Sequence, residues 1–126
     1  MVKIIGSIPL EVVVMNTLSV NLHLLMASFY RPTAERYKIL IESDAFPSDR
    51  YAVESQLKFH GFEDGLLELK ARENEVLVRH EDIETMIEKE GESIALILIG
   101  CPNYYTGQVF NMKRIAELGH AKGCKV

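Results

Sequence analysis

Short apolar runs alternate along the chain with segments in which apolar residues recur every three or four positions. Runs of about five apolar residues are typical of buried strands, and the longer periodic segments are typical of helices. The strongest run, residues 94–99, is apolar on both faces. Strands of this kind joined by helices predict an α/β fold with a mostly parallel sheet covered on two sides, a three-layer α/β/α arrangement.

The pattern predicts five strands and four helices. The predicted strands are residues 11–15, 37–41, 65–69, 75–78 and 94–99, of which the third and fourth have weaker patterns. The predicted helices are residues 20–30, a helix capped by Ser48 or Asp49 that runs to His60 before Gly61, residues 82–90 before Gly91, and residues 112–121. Capping side chains at helix starts and glycines after helix ends support these boundaries.

The last three residues, Cys124, Lys125 and Val126, follow Gly123 and look like the beginning of another strand. Strands in such sheets usually have about five or six residues. We therefore expect residues 1–126 to be an incomplete domain with an unfilled sheet edge. The alternative interpretation is a short disordered tail.

Composition and charge narrow the class of protein. The 126 residues are 48% hydrophobic and 25% charged, and the net charge is −4 without any basic run. Nucleic acid and anionic membranes are therefore poor candidate partners. Polar residues interrupt the most apolar stretch, residues 8–26, so neither a membrane span nor a signal peptide is predicted. The two cysteines, Cys101 and Cys124, indicate structural thiols and no disulfide framework, and the default expectation is a cytosolic protein.

The segment Asn16, Thr17, Leu18 and Ser19 lies between a predicted strand and a predicted helix. Ligands bind outside the carboxyl ends of strands in open α/β sheets, and helix N-termini attract phosphate. A hydroxyl group here could hold a phosphate oxygen beside free backbone N–H groups. The alternative is an ordinary helix cap, and the chain has no Gly-x-Gly-x-x-Gly or Walker motif that would indicate a nucleotide.

Two further segments follow predicted strands and should face the same crevice. Phe46 could stack on a flat heteroaromatic ring while Asp49 pairs with a protonated ring nitrogen. The alternative is a hydrophobic staple from Phe46 with Ser48 or Asp49 as a cap. Residues 104–108, Tyr-Tyr-Thr-Gly-Gln, form a third crevice-facing loop or, alternatively, a glycine turn packed by aromatic side chains. The four scattered histidines have no ligand spacing, so a metal site is not expected.

Together these segments resemble kynureninases over nearly the whole chain. The residues that carry the resemblance are 14–26, 36–40, 45–49, 51–56, 87–91, 105–108 and 121–124. Kynureninases are fold-type-I pyridoxal-phosphate (PLP) enzymes, normally homodimeric. They hydrolyse kynurenine or 3-hydroxykynurenine to anthranilate or 3-hydroxyanthranilate plus alanine, in tryptophan catabolism and NAD biosynthesis. The resemblance implies a cytoplasmic hydrolase of which residues 1–126 form an incomplete PLP-binding large domain.

The resemblance also implies roles for individual residues. Leu18 and Ser19 would bind the PLP phosphate, Ser19 standing where the family usually has threonine. Phe46 would stack on the pyridine ring, and Asp49 would lie near its nitrogen. Pro47 and Ser48 would shape the pocket.

The chain departs from the family pattern in three places. At Gly100 the family usually has a serine or threonine whose hydroxyl faces the cofactor, and residues 100–103 differ generally. Residues 1–10 match only loosely. The Schiff-base lysine, a second aspartate and a histidine of the family are expected beyond Val126, so the 126 residues alone are predicted to be inactive. The alternatives are a non-catalytic relative that binds a full-length partner and an unrelated flavodoxin-like binding module.

Overall fold

The computed structural model describes residues 2–126 and is built on a three-stranded parallel sheet. Strand β1 is Lys38–Glu42, β2 is Leu66–Leu69 and β3 is Ile94–Leu98, and β1 lies between the other two. Both pairings are parallel. The carboxyl ends of the three strands therefore lie at one edge of the sheet, the edge where ligands bind in folds of this class.

Helices cover both faces of this sheet. Helices α2 (Leu18–Phe29) and α3 (Pro47–Phe59) pack on one face, and α4 (His80–Glu90) and α5 (Met112–Ala121) pack on the other. They are preceded by a short helix α1 (Val2–Ile5) and a 3₁₀ turn (Pro9–Glu11), which bury no side chains. No helix within residues 2–126 combines the length and the apolar character needed to cross a membrane. The predicted three-layer α/β/α arrangement is confirmed.

Strand β1 shows why the central strand is apolar on both faces. Ile39 and Ile41 point toward α2 and α3, where they pack with residues such as Val53. Leu40 points the other way and packs with Ile87 of α4. Successive side chains of a strand alternate between faces, so a strand covered on both sides must be apolar at every position.

Most of the predicted elements are confirmed with small shifts of their ends. The predicted strands 37–41, 65–69 and 94–99 correspond to β1, β2 and β3. The predicted helices 20–30 and 82–90 each begin two residues earlier in the structure, and the helix predicted after a cap at Ser48 or Asp49 begins at Pro47. The helix 112–121 has the predicted bounds. Lys125 exchanges backbone hydrogen bonds with Ala95 and Ile97 at 3.0 and 2.8 Å. The parallel pairing at Lys125 agrees with a strand start here and rules out a disordered tail.

The prediction of a strand at residues 11–15 is wrong. Glu11 ends the 3₁₀ turn, and Val13 and Val14 are 72% and 73% exposed in an irregular extended segment. A β-branched run becomes a strand only where a neighbouring strand satisfies its backbone groups. None of the strands in the described part of the chain lies beside this segment.

The prediction of a strand at residues 75–78 is also wrong. The segment is irregular, with a bend at Val76 and Leu77, and Val76 is 75% exposed. The backbone of Val78 bonds to a side chain instead of a strand, because the Gln108 amide donates to Val78 O and accepts from Val78 N–H. The short apolar pattern therefore did not become a strand, since the Gln108 amide bonds to the Val78 backbone where a neighbouring strand would have done so.

Arg36 stabilises the edge of the sheet opposite the carboxyl ends of the strands. Its guanidinium group donates to the backbone carbonyls of Gly91, Ile94 and Lys122 at 2.8–2.9 Å. The same region buries the Cys124 thiol, and burial raises the pKa of this cysteine. Arg36 thus joins three parts of the chain: the start of β3 at Ile94, the residue Gly91 before it, and Lys122 after α5.

Candidate ligand-binding cleft

A cleft of about 500 Å³ opens beside the carboxyl ends of β1 and β3. Four parts of the chain contribute to it, namely the start of α2, the end of β1, the start of α3 and the loop after β3. The lining residues are Thr17, Leu18, Ser19, Glu42, Phe46, Ser48, Asp49, Gly100, Pro102 and Tyr104. Of the six residues predicted to bind a cofactor, five line this cleft, and Pro47 does not.

The start of α2 forms one part of the wall. The helix begins at Leu18, so Leu18 and Ser19 lie in its first turn. Thr17 occupies the cap position, but its side chain makes no capping hydrogen bond. The first N–H groups of a helix have no partner within the helix, and the helix dipole adds positive potential there. An anionic group in the cleft would find these N–H groups and two hydroxyls nearby.

The start of α3 brings Asp49 to the cleft. Pro47 is the first helical residue, and Ser48 and Asp49 follow within the first turn. The prediction that Ser48 or Asp49 caps this helix is therefore wrong. Proline has a fixed φ and no N–H, which suits the first helical position and places the helix start earlier. The Ser48 hydroxyl lies 3.2 Å from Asp49 Oδ1, to which it donates.

Two aromatic rings meet in the cleft. Phe46 is 52% exposed, and its ring centre lies 5.0 Å from that of Tyr104 in an edge-on arrangement. Tyr104 is the one residue of the predicted 104–108 loop that lines the cleft. Phe46 packs against Tyr104 by contact between rings and not as a helix staple. An exposed aromatic face of this kind is suited to stacking on a flat ring.

Buried Asn103 shapes the loop that presents Tyr104. Asn103 is 4% exposed, and its side-chain oxygen accepts hydrogen bonds from the backbone N–H groups of Tyr105 and Thr106 at 3.0 and 2.9 Å. Asparagine commonly organises turns in this way. This role was not predicted from the sequence. The available signal was an asparagine that follows a strand closely and precedes a glycine, a pattern that is typical of a turn.

Glu42 is the second residue that the sequence analysis missed. It is the last residue of β1 and is only 6% exposed. Burial raises the pKa of the Glu42 carboxyl group, and the negative charge of Asp49 raises it further, while N–H groups of Glu42 and Gly100 oppose the shift. An acidic residue at the carboxyl end of an apolar strand was the signal that could have identified it.

Within the described residues, neither cleft carboxyl group has a cationic partner. Among residues 2–126, no ion pair involves Glu42 or Asp49. Arg50, next to Asp49 in the chain, pairs instead with Glu54 and Glu68. Within the described residues no lysine lines the cleft, and no three histidine, cysteine or acidic side chains come together as metal ligands.

These features fit one kind of ligand. The α2 start favours an anionic group, Phe46 favours a flat ring, and the carboxyl groups of Glu42 and Asp49 favour a cationic group. PLP has a phosphate, an aromatic ring and a ring nitrogen that can be protonated. The chemistry of the lining residues therefore fits this cofactor.

Comparisons with known proteins point to one family, although no protein-family model matches the chain. Kynureninase of Flavobacterium psychrophilum is 60% identical over 126 residues, which cover 98% of this chain and 30% of that protein. Kynureninase of Homo sapiens is 54% identical over 128 residues, covering 100% of this chain and 28% of that protein. The chain thus spans about three tenths of the length of the curated relatives it matches.

A solved structure supports the fold. A PLP-bound C-S lyase from Staphylococcus hominis, complexed with L-cycloserine, matches with a TM-score of 0.55 at 15% sequence identity. The match covers 81% of this chain and 26% of the lyase chain. The α/β arrangement described above therefore resembles part of the fold of this lyase. By sequence, this chain is a homologue of kynureninases that corresponds over its whole length to about three tenths of such a protein.

Proposed function

We propose that the cleft binds PLP and forms part of a kynureninase active site, which hydrolyses kynurenine or 3-hydroxykynurenine to anthranilate or 3-hydroxyanthranilate plus alanine. The observation that carries this proposal is the charge pattern of the cleft. A helix start without a side-chain cap and two carboxyl groups that have no cationic partner among residues 2–126 face the same space. The 50–60% identity to kynureninases supports the choice of reaction.

Each lining residue has a proposed task. The first N–H groups of α2 and the Ser19 hydroxyl bind the phosphate, with Leu18 at the rim. Phe46 stacks on the ring, and Pro47 fixes where α3 begins. Ser48 orients Asp49 through its hydrogen bond, and Asp49 holds a proton on the ring nitrogen. When bound, PLP supplies a protonated ring that withdraws electrons from the bond being cleaved.

The 126 residues by themselves are proposed to bind the cofactor without catalysing the reaction. Covalent PLP chemistry requires a lysine, and none of the described lining residues is one. The lysine would come from another part of the complete enzyme. Cytoplasmic location and homodimeric assembly, which the resemblance to kynureninases implies, belong to the same proposal.

A chimeric enzyme tests the function directly. In the kynureninase of Flavobacterium psychrophilum, the matching part is replaced by this chain. We expect the chimeric enzyme to release anthranilate and alanine from kynurenine, with the unaltered bacterial enzyme as the reference. A folded chimera that neither retains PLP nor cleaves kynurenine would contradict the proposal and would favour a non-catalytic, partner-binding role.

Replacing Phe46 with alanine should weaken cofactor binding without abolishing turnover at saturating PLP. Aromatic contacts contribute about 0.5–1.5 kcal/mol beyond burial, which corresponds to roughly a two- to thirteenfold rise in Kd. Pyridoxamine 5′-phosphate, which cannot react with lysine, is the probe for equilibrium dialysis. Phe59→Ala, at the exposed end of the same helix, is the matched control and should leave Kd unchanged. Equal affinities of the two variants would remove Phe46 from the site.

A further inference from the structure

Glu42 lies where the parts of the cleft meet. Besides lining the cleft itself, it borders a smaller cavity of about 90 Å³ behind it, together with Asp49 and Gly100. The residue is the end of β1, and its carboxyl group is almost completely removed from solvent. A buried carboxyl group is costly to ionise without a cationic partner, and acidic groups held in this way are concentrated at functional sites.

The Glu42 carboxyl group is joined to the loop after β3. Gly100 N–H donates to Glu42 Oε1 at 3.1 Å. A Cβ atom at Gly100 would lie only 3.0 Å from the same oxygen, so glycine permits this close approach. The contact connects the end of β1 to the loop that supplies Pro102 and Tyr104 to the cleft.

We propose that Glu42 is a positioning residue of the cleft, which holds the loop after β3 in place and provides a second carboxyl group behind Asp49. In this role it sets both the shape of the cleft and the negative charge that a cationic ring meets. The proposal rests on the proposed function for the identity of the ring. The coupling between Glu42 and Asp49 can be measured without any cofactor.

The charge of the cleft should then depend on pH through Glu42. The groups that share its surroundings are Asp49 from α3 and the Tyr104 phenol from the loop, while the residues contributed by α2 are neutral. Because burial and the negative Asp49 both raise the pKa of Glu42, its proton leaves at a higher pH than that of an ordinary glutamate. The cleft gains its second negative charge only above that pH.

Nuclear magnetic resonance of the chain labelled with ¹³C at glutamate carboxyl carbons tests the coupling. We expect the Glu42 signal to titrate above the other glutamates, and Asp49→Asn to lower its midpoint because a nearby negative charge is removed. Asp44→Asn is the control, because Asp44 is exposed and has a positive φ that asparagine tolerates. A Glu42 midpoint in the range of the exposed glutamates, or one unchanged by Asp49→Asn, would overturn the proposal.

The effect of the Glu42 charge on cofactor binding is tested with two variants of Glu42. Glu42→Gln in the chimeric enzyme keeps an acceptor for Gly100 N–H and removes the charge. We expect its Kd for pyridoxamine 5′-phosphate to be about tenfold higher than the parent's above the Glu42 midpoint and equal to it below. Glu42→Ala, which also loses the loop contact, should weaken binding at every pH.

Identical pH profiles for Glu42→Gln and the parent would overturn the role of Glu42. A parent that binds no probe would contradict the proposed function, and the carboxyl titration would still decide whether Glu42 and Asp49 are coupled.

Discussion

Replacing Asp49 with asparagine in the chimeric enzyme should lower kcat by about 10²-fold or more at saturating PLP. The carboxylate is proposed to keep the ring nitrogen protonated, and a neutral amide cannot stabilise that positive charge. The ring would then accept electrons less well, although the cofactor would still be bound. The measurement is anthranilate release at PLP concentrations that saturate each variant.

The structure strengthens this prediction, because the only hydrogen bond to the Asp49 side chain among the described residues comes from Ser48. It does not cap α3, and no ion pair within the described residues involves it. Asp44→Asn removes a nearby acidic residue outside the cleft and should leave kcat unchanged. If Asp49→Asn turned over kynurenine at the parental rate, the proposed role at the ring nitrogen would be wrong.

Replacing Leu40 with alanine should lower the free energy of unfolding by about 2–5 kcal/mol. Leu40 is fully buried in the central strand, between β2 and β3 in the sheet and against α4. Removing its side chain leaves a cavity among residues of several elements, which cannot all move to fill it. Urea unfolding of the chain, followed by circular dichroism, measures the change.

Leu10→Ala is the matched control, because Leu10 is 95% exposed. The same substitution should change the unfolding free energy there by less than about 0.5 kcal/mol. A small effect at Leu40 would show that the sheet is not packed on both faces as described. A large effect at Leu10 would show that residues 2–15 pack against the rest of the chain.

Prediction from sequence succeeded where local pattern and tertiary environment agree. Strands β1 and β3 are apolar at nearly every position because helices cover both sides of them. Helix α5 has an amphipathic pattern, an asparagine cap and a following Gly123, and its predicted bounds are those observed. Where several independent signals agree, the element is well specified by its own residues.

Prediction failed where the outcome depended on a partner elsewhere in the chain. Residues 11–15 are as β-branched as a strand, yet no strand among the described residues lies beside them. In the predicted strand at 75–78, the backbone of Val78 bonds to the distant side chain of Gln108. Glu42 was overlooked because a polar residue at the end of an apolar run is common and does not by itself indicate burial. Its carboxyl group accepts a hydrogen bond from Gly100, which is 58 residues further along.

The sequence by itself determined the α/β class, the positions of most helices and strands, and that the segments after β1 and β3 lie at the carboxyl edge of the sheet. Periodicity and chain direction suffice for these, because they are local properties of the chain. Only the tertiary structure decided that Pro47 lies outside the cleft wall, that Glu42 is buried at the cleft, and that neither carboxyl group has a cationic partner among residues 2–126. Burial and charge pairing depend on groups far apart in sequence, so they are settled only once the strands and helices have packed together.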